Sequence, residues 1–99
     1  MILENASGVR WAFSETPEGW AFGTIQLHGR SVEQPAERGV LALRNVASGE
    51  VRWLLAPDLD RVDAVHAHCS GSDMIDSVCF SWHVSVALHE TLPAITITV

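Results

Sequence analysis

A strict alternation of apolar and small or polar residues runs through VCFSWHVSVAL, residues 78–88. Every second side chain is apolar, so all of them lie on one face if the segment is extended. The segment therefore predicts a β-strand of eleven residues. Residues 93–99 show a shorter, β-branched alternation that predicts a last strand. The dominant period of two residues indicates a mainly β fold.

Working outward, two pairs of shorter segments have the same period and are separated by turn-forming residues. Segments 9–13 and 20–28 predict a first hairpin, and segments 40–46 and 50–56 predict a second. Between the hairpins, residues 29–39 are polar and predict a loop or a single helical turn. Together with the long strand, these segments predict a small antiparallel β-sandwich or roll of about six strands.

The stretch between the second hairpin and the long strand fits two structures. Pro57 in the first turn and Gly71 just beyond the end are typical of a helix, which gives an alternative α+β fold with one helix near 57–69. The β-branched residues in 62–69 and the turn-like residues 70–73 favour a strand that pairs with 78–88. We prefer the strand, and the helix stays open as the alternative.

The composition limits the classes of function. The chain has 47% hydrophobic and 18% charged residues, which predicts that 1–99 is a single compact domain. Six arginines, no lysine and twelve acidic residues give a net charge of −6, so we expect no nucleic-acid partner. No apolar run reaches the about 18 residues of a membrane span, so we expect no membrane partner. Without a basic and apolar leader at the start, we expect a cytoplasmic location.

A histidine-rich segment is the main concentration of metal-ligating side chains. His66 and His68 share one face if 62–69 is a strand, and His83 joins them if the paired residue numbers sum to 149. Three imidazoles can bind zinc or a similar divalent metal. The alternative is that these histidines are solvated or hydrogen-bonded on the surface.

Catalytic signatures are missing from the sequence. The chain has no Gly-x-Ser-x-Gly motif and no Gly-x-Gly phosphate loop, and Cys69 and Cys79 are not arranged as Cys-x-x-Cys. Asp58, Asp60 and Asp63 alternate, but the glycine and the glutamate of a calcium loop are absent. We therefore assign no catalytic residue and expect a non-catalytic domain.

A tryptophan-flanked turn is the candidate partner surface. Trp11 and Trp20 lie on either side of residues 14–19, and a partly exposed indole there can anchor a protein partner. Glu15 and Glu18 in the turn would face a basic partner. The alternative is that the two tryptophans pack on each other as a cross-strand pair.

The second hairpin also suggests association. Its segments are apolar on both faces, and a chain of this length has little material to cover both, which predicts a homo-oligomer or a dedicated protein partner. The sequence therefore indicates a small acidic protein-interaction domain, such as an inhibitor or an assembly component. The alternative from another class is a metal-binding domain that uses the histidines.

Overall fold

A computed structural model describes residues 1–32 and 39–99, so most of the predicted loop at 29–39 lies outside the described residues. The described residues form strands and turns and contain no helix. No helix long and apolar enough to cross a membrane therefore occurs among them. In chain order the strands are β1 (Ile2–Glu4), β2 (Val9–Thr16), β3 (Gly19–Leu27), β4 (Arg30–Ser31), β5 (Leu41–Arg44), β6 (Val51–Leu54), β7 (Asp58–Arg61), β8 (His66–Ile75), β9 (Val78–Leu88) and β10 (Ile95–Thr98).

The strands form three antiparallel sheets. The first sheet has the order β1-β2-β3-β4, the second has the order β10-β9-β8-β7, and β5 and β6 form a separate two-stranded sheet. Each ladder of the described residues joins strands that follow one another in the sequence. An isolated bridge between Trp20 and Ala56 connects the start of β3 to the segment after β6.

The two four-stranded sheets face each other across one apolar core. Period-two alternation directs one face of each strand inward, and the inward residues of both sheets meet there. Trp11 stacks on Phe13 with ring centroids 5.5 Å apart, and Phe22 meets Trp11 edge-on at 4.9 Å. The buried core consists of Leu3, Val9, Trp11, Phe13, Val40, Ala56, Ala67, Cys69, Val84, Val86 and Leu88.

The mainly β fold is confirmed, and the long strand has the predicted bounds, Val78–Leu88. The first hairpin is present as β2 and β3, and the second as β5 and β6. The predicted number of about six strands was too low, because residues 1–32 and 39–99 alone contain ten. The strands that the sequence did not reveal are β1, β4 and β7, with three, two and four residues, which are too short for a recognisable period.

The stretch 57–70 contains strand rather than helix. Its first part is β7, which pairs with β8, so the alternative helix near 57–69 was wrong. The predicted turn at residues 70–73 was also wrong, because these residues continue β8 to Ile75. The chain reverses at Asp76 and Ser77, whose φ values are 50° and 64°. Two successive residues with positive φ are typical of a type I′ hairpin turn.

Asn5 connects the two large sheets. It lies between β1 and β2, and its Nδ2 donates hydrogen bonds to the carbonyl oxygens of His89 at 2.7 Å and Leu92 at 2.9 Å. Its Oδ1 accepts hydrogen bonds from the backbone N–H groups of Ser7 and Val9. The Asn5 side chain therefore links the turn between β1 and β2 to the loop that precedes β10.

Candidate functional site

Trp11, one of the predicted partner anchors, lies in the core. Its side chain is only 3% exposed and packs on Phe13 and Phe22, so the prediction that its indole is partly exposed was wrong. The residue occupies an inward position of β2, and its cross-strand partner is Ile25. Its buried Nε1 has no hydrogen-bond partner among residues 1–32 and 39–99. Trp11 therefore contributes to stability and cannot contact a partner directly.

The other residues of the predicted anchor surface are accessible. Trp20 is half-buried and lies opposite Glu15, so Trp11 and Trp20 are not a cross-strand pair either. The Trp20 backbone N–H donates to the Ala56 carbonyl at 2.7 Å and its carbonyl accepts from Ala56 at 2.9 Å. Glu15 and Glu18 are exposed. The turn thus presents two exposed carboxylates beside a half-buried indole.

The three candidate metal ligands share one face of the second sheet but not the predicted register. The β8–β9 pairs sum to 153 instead of 149, so His66 lies opposite Ala87 and Ser70 lies opposite His83. The turn at residues 76–77 sets this register, because Ile75 pairs with Val78 immediately before and after it. A shift of four residues keeps every side chain on its predicted face but moves His83 away from His66.

His66 is engaged by an aspartate of the preceding loop. Its Nδ1 is 2.8 Å from Asp63 Oδ1, and the same oxygen accepts the backbone N–H groups of Val65 and His66, each at 2.9 Å. The Val65 backbone hydrogen bond and then the His66 side chain hold the pKa of Asp63 below its usual value. Asp63 therefore closes the loop between β7 and β8.

His68 and His83 lie close together through a shared serine. Their ring centroids are 5.1 Å apart, and Ser85 Oγ is 2.9 Å from His68 Nδ1 and 3.2 Å from His83 Nε2. Across the described part of the chain, no three His, Cys, Asp or Glu side chains come together as a metal site. The geometry corresponds to the alternative interpretation, in which the histidines are hydrogen-bonded surface groups.

The two cysteines differ in accessibility. Cys69 is buried in the core, and burial raises the pKa of its thiol to about 11, so the nucleophilic thiolate is scarce at neutral pH. Cys79 is exposed on the outer face of β9. Cys69 is therefore a core residue, and its burial disfavours a role as nucleophile.

The longest hairpin extends beyond the second sheet. The neighbour β7 pairs only with Ala67–Ser70 of β8, and β10 pairs only with Ser85–Leu88 of β9. Residues 71–82 therefore form a two-stranded ribbon that none of the described strands flanks, and we call this ribbon the hairpin tip. The apolar side chains that the tip exposes are Met74 at 67%, Val78 at 52% and Phe80 at 40%.

A cleft separates the hairpin tip from the β5–β6 hairpin, and we call it the hairpin cleft. Its volume is about 540 Å³, within the range of ligand and side-chain binding pockets. One wall is the tip, which contributes the acidic Asp76, and the other is the end of the β5–β6 hairpin, which contributes Arg44, Glu50 and Arg52. The apolar lining comprises Leu43, Met74, Ile75, Val78 and Phe80.

Sequence reasoning missed this surface for a specific reason. Alternation places Val78 and Phe80 on the same face as Val84 and Val86, and that face was predicted to be core along its whole length. Only the second half of β9 has a sheet around it, so Val84 and Val86 are buried and Phe80 is not. The signal was the length of the 78–88 strand, since no other predicted strand was long enough to cover all of it.

Comparisons with protein-family models, with curated proteins and with solved structures give no match to this chain.

Proposed function

We propose that this chain is a non-catalytic protein-interaction domain that binds its partner at the hairpin cleft. The observation that carries the proposal is the pair of exposed apolar side chains on the core face of the tip, Val78 and Phe80, beside a cleft of about 540 Å³. Contiguous exposed apolar surface with a polar rim marks interaction sites in soluble domains. A side chain inserted between the two hairpins would lose contact with water on both sides.

The composition of the cleft favours a protein segment as the occupant. Apolar residues form much of its lining, and two arginines and two carboxylates stand around them. This distribution of an apolar centre and a charged rim is the usual anatomy of a protein interface. Phe80 is of a type enriched at such centres, and Arg44 and Arg52 can form bidentate hydrogen bonds with a partner carboxylate.

The partner is proposed to be a basic protein. The chain carries a net charge of −6, so a basic protein approaches it faster than an acidic or neutral one. Glu15 and Glu18 contribute to this field from the first hairpin, whatever their direct contacts. An inhibitor or an assembly component would use such a surface.

Site-specific photo-crosslinking tests the proposal. A photoreactive amino acid replaces Val78, which is 52% exposed on the core face of the tip, and in a matched control it replaces Thr24, which is exposed on β3. We expect a heteromeric adduct of one defined mass from position 78 and none from position 24. The crosslinked protein is then identified and purified, and its affinity for the chain is measured by calorimetry.

Two further variants complete the test. Phe80→Ser removes an exposed aromatic side chain from the cleft, and we expect at least a tenfold loss of affinity, corresponding to about 1.4 kcal/mol. Glu18→Gln on the turn changes the net charge alone and is expected to alter the association rate by a small factor. Equal adducts at both positions, or an affinity that Phe80→Ser leaves unchanged, would contradict the proposal.

A further inference from the structure

The edge of the second sheet formed by β10 differs from every other sheet edge in the described residues. β1, β4, β5, β6 and β7 each include at least one charged residue, and β1 and β4 have only three and two residues. β10 reads ITIT, and no charged side chain occurs from Thr91 to Val99. Charges, prolines and short length are the devices that keep sheet edges from pairing with another chain. β10 has four residues and none of these charges or prolines.

The backbone groups on this edge can be assigned from the ladder. The His89 N–H donates to the Ala94 carbonyl, so this pair is hydrogen-bonded and the next pair, Leu88 with Ile95, is not. The alternation continues along β10, so Thr96 and Thr98 bond to β9. The N–H and C=O groups of Ile95 and Ile97 point away from the sheet, toward the side where no described strand lies.

We propose that β10 is a self-association edge, which pairs antiparallel with β10 of a second copy of this chain in a register centred on Ile97. In that register, Ile97 lies opposite its own counterpart and Ile95 lies opposite Val99 of the other copy. Ile95 and Ile97 have outward-pointing backbone groups, Val99 follows in the same alternation, and the three pairs form about six reciprocal hydrogen bonds. The four-stranded sheets of the two copies thereby join into one continuous sheet.

The side chains of β10 are self-complementary in this register. Ile95 and Ile97 lie on the core face, opposite Leu88 and Val86, and the pairing adds Val99 of the other copy to the same apolar row. Ile97 is 49% exposed and Val99 is 80% exposed, and both lose contact with water on pairing. Thr96 meets Thr98 of the other copy on the outer face, and threonine pairs across strands are favourable.

Charge limits where two copies of this chain can make contact. Two chains of net charge −6 repel each other wherever their acidic surfaces meet. The electrostatic repulsion between two copies is therefore smallest when they meet through an uncharged segment. The segment from Thr91 to Val99 has no charged side chain. It also lies apart from the hairpin cleft, so the proposed dimer and the proposed partner surface are independent.

Sedimentation velocity of the full chain over a range of concentrations tests the dimer. We expect the mass to rise from the 10.8 kDa of one chain to twice that value as the concentration increases. Ile97→Lys places two ammonium groups side by side in the dimer and is expected to restore the monomer. The matched control Thr24→Lys, with the same change of charge on the other sheet, is expected to leave the dimer intact.

Cysteine crosslinking tests the register and does not depend on the lysine variant. In a Cys79→Ser background, Ile97→Cys brings two Cα atoms to about 5.5 Å, which a disulfide can span, and mild oxidation is expected to give a covalent dimer. With Thr96→Cys, the Cα atoms of the two cysteines are about 8 Å apart in this register, and no covalent dimer is expected. A monomer at all concentrations, a dimer that Ile97→Lys does not weaken, or crosslinking at position 96 but not at 97 would overturn the proposal.

Discussion

Trp82 lies directly across the β8–β9 ladder from Gly71, and its ring lies over that glycine in the space where a side chain would be. A Cβ atom on residue 71 would be 2.6 Å from Cζ2 of the ring and 3.1 Å from Cδ of Pro57. The Trp82 Nε1 donates a hydrogen bond to Asp73 Oδ2 at 3.0 Å, which fixes the ring in this position. The contact between Gly71 and Trp82 therefore fixes the base of the hairpin tip, where the tip joins the second sheet.

Replacement of Gly71 by alanine is expected to destabilise the fold by about 1–3 kcal/mol, because the ring of Trp82 must move from its hydrogen-bonded position. Thermal unfolding by circular dichroism measures the change. Ser72→Ala, at the next position on the exposed outer face, is the matched control and should change the free energy of unfolding by less than about 0.5 kcal/mol. Equal melting temperatures for Gly71→Ala and the wild type would contradict this account of the contact.

Replacement of Asn5 by alanine is expected to cost about 1–3 kcal/mol, because backbone groups of two loops lose their partners together. Asn5→Asp separates the contributions, since it keeps the Oδ1 acceptor but loses the Nδ2 donor to His89 and Leu92. Urea unfolding should rank the aspartate variant below the wild type in stability. Asn45→Ala provides the comparison, because Asn45 Oδ1 binds only its own loop, at Ala47 and Ser48. A loss at Asn5 no larger than that at Asn45 would indicate that the connection between sheets contributes little.

The depressed pKa of Asp63 predicts a specific pH dependence. A carboxylate whose pKa is lower in the folded state contributes stability above its unfolded pKa of about 3.8 and loses it as the pH falls through the folded pKa. The difference in melting temperature between the wild type and Asp63→Asn should therefore be widest near neutral pH and should close in acid. A difference that stays constant from pH 7 to pH 2 would show that ionisation of Asp63 does not contribute.

The two thiols should react at different rates. Cys79 is exposed and should be alkylated in the native protein, whereas Cys69 is buried with a raised thiol pKa of about 11. Mass spectrometry after treatment with iodoacetamide should show one adduct in buffer and two in denaturant. Rapid double alkylation of the native chain would mean that the core opens around Cys69 far more easily than its burial indicates.

Much of the fold follows from local signals in the sequence, and the candidate site does not. Alternation identifies β9 and the two hairpins because a period of two residues persists over enough positions to be recognised. The register of His66 and His83 depends on a turn made by Asp76 and Ser77, and the preceding polar residues 70–73 are equally turn-like in composition. The exposure of Phe80 and the burial of Trp11 depend on which strands end early, which is a property of the assembled sheets.

The sequential order of the strands also has a kinetic consequence. In the described sheets every ladder joins neighbours along the chain, so each ladder closes over a short loop and the loss of chain entropy at each step is small. We expect the turn at Asp76 and Ser77 to be formed in the transition state and the connection through Asn5 to form after it. Stopped-flow measurements should then show that variants at the turn slow folding, while variants at Asn5 mainly accelerate unfolding. The two large sheets would thus act as separate folding units whose docking completes the native state.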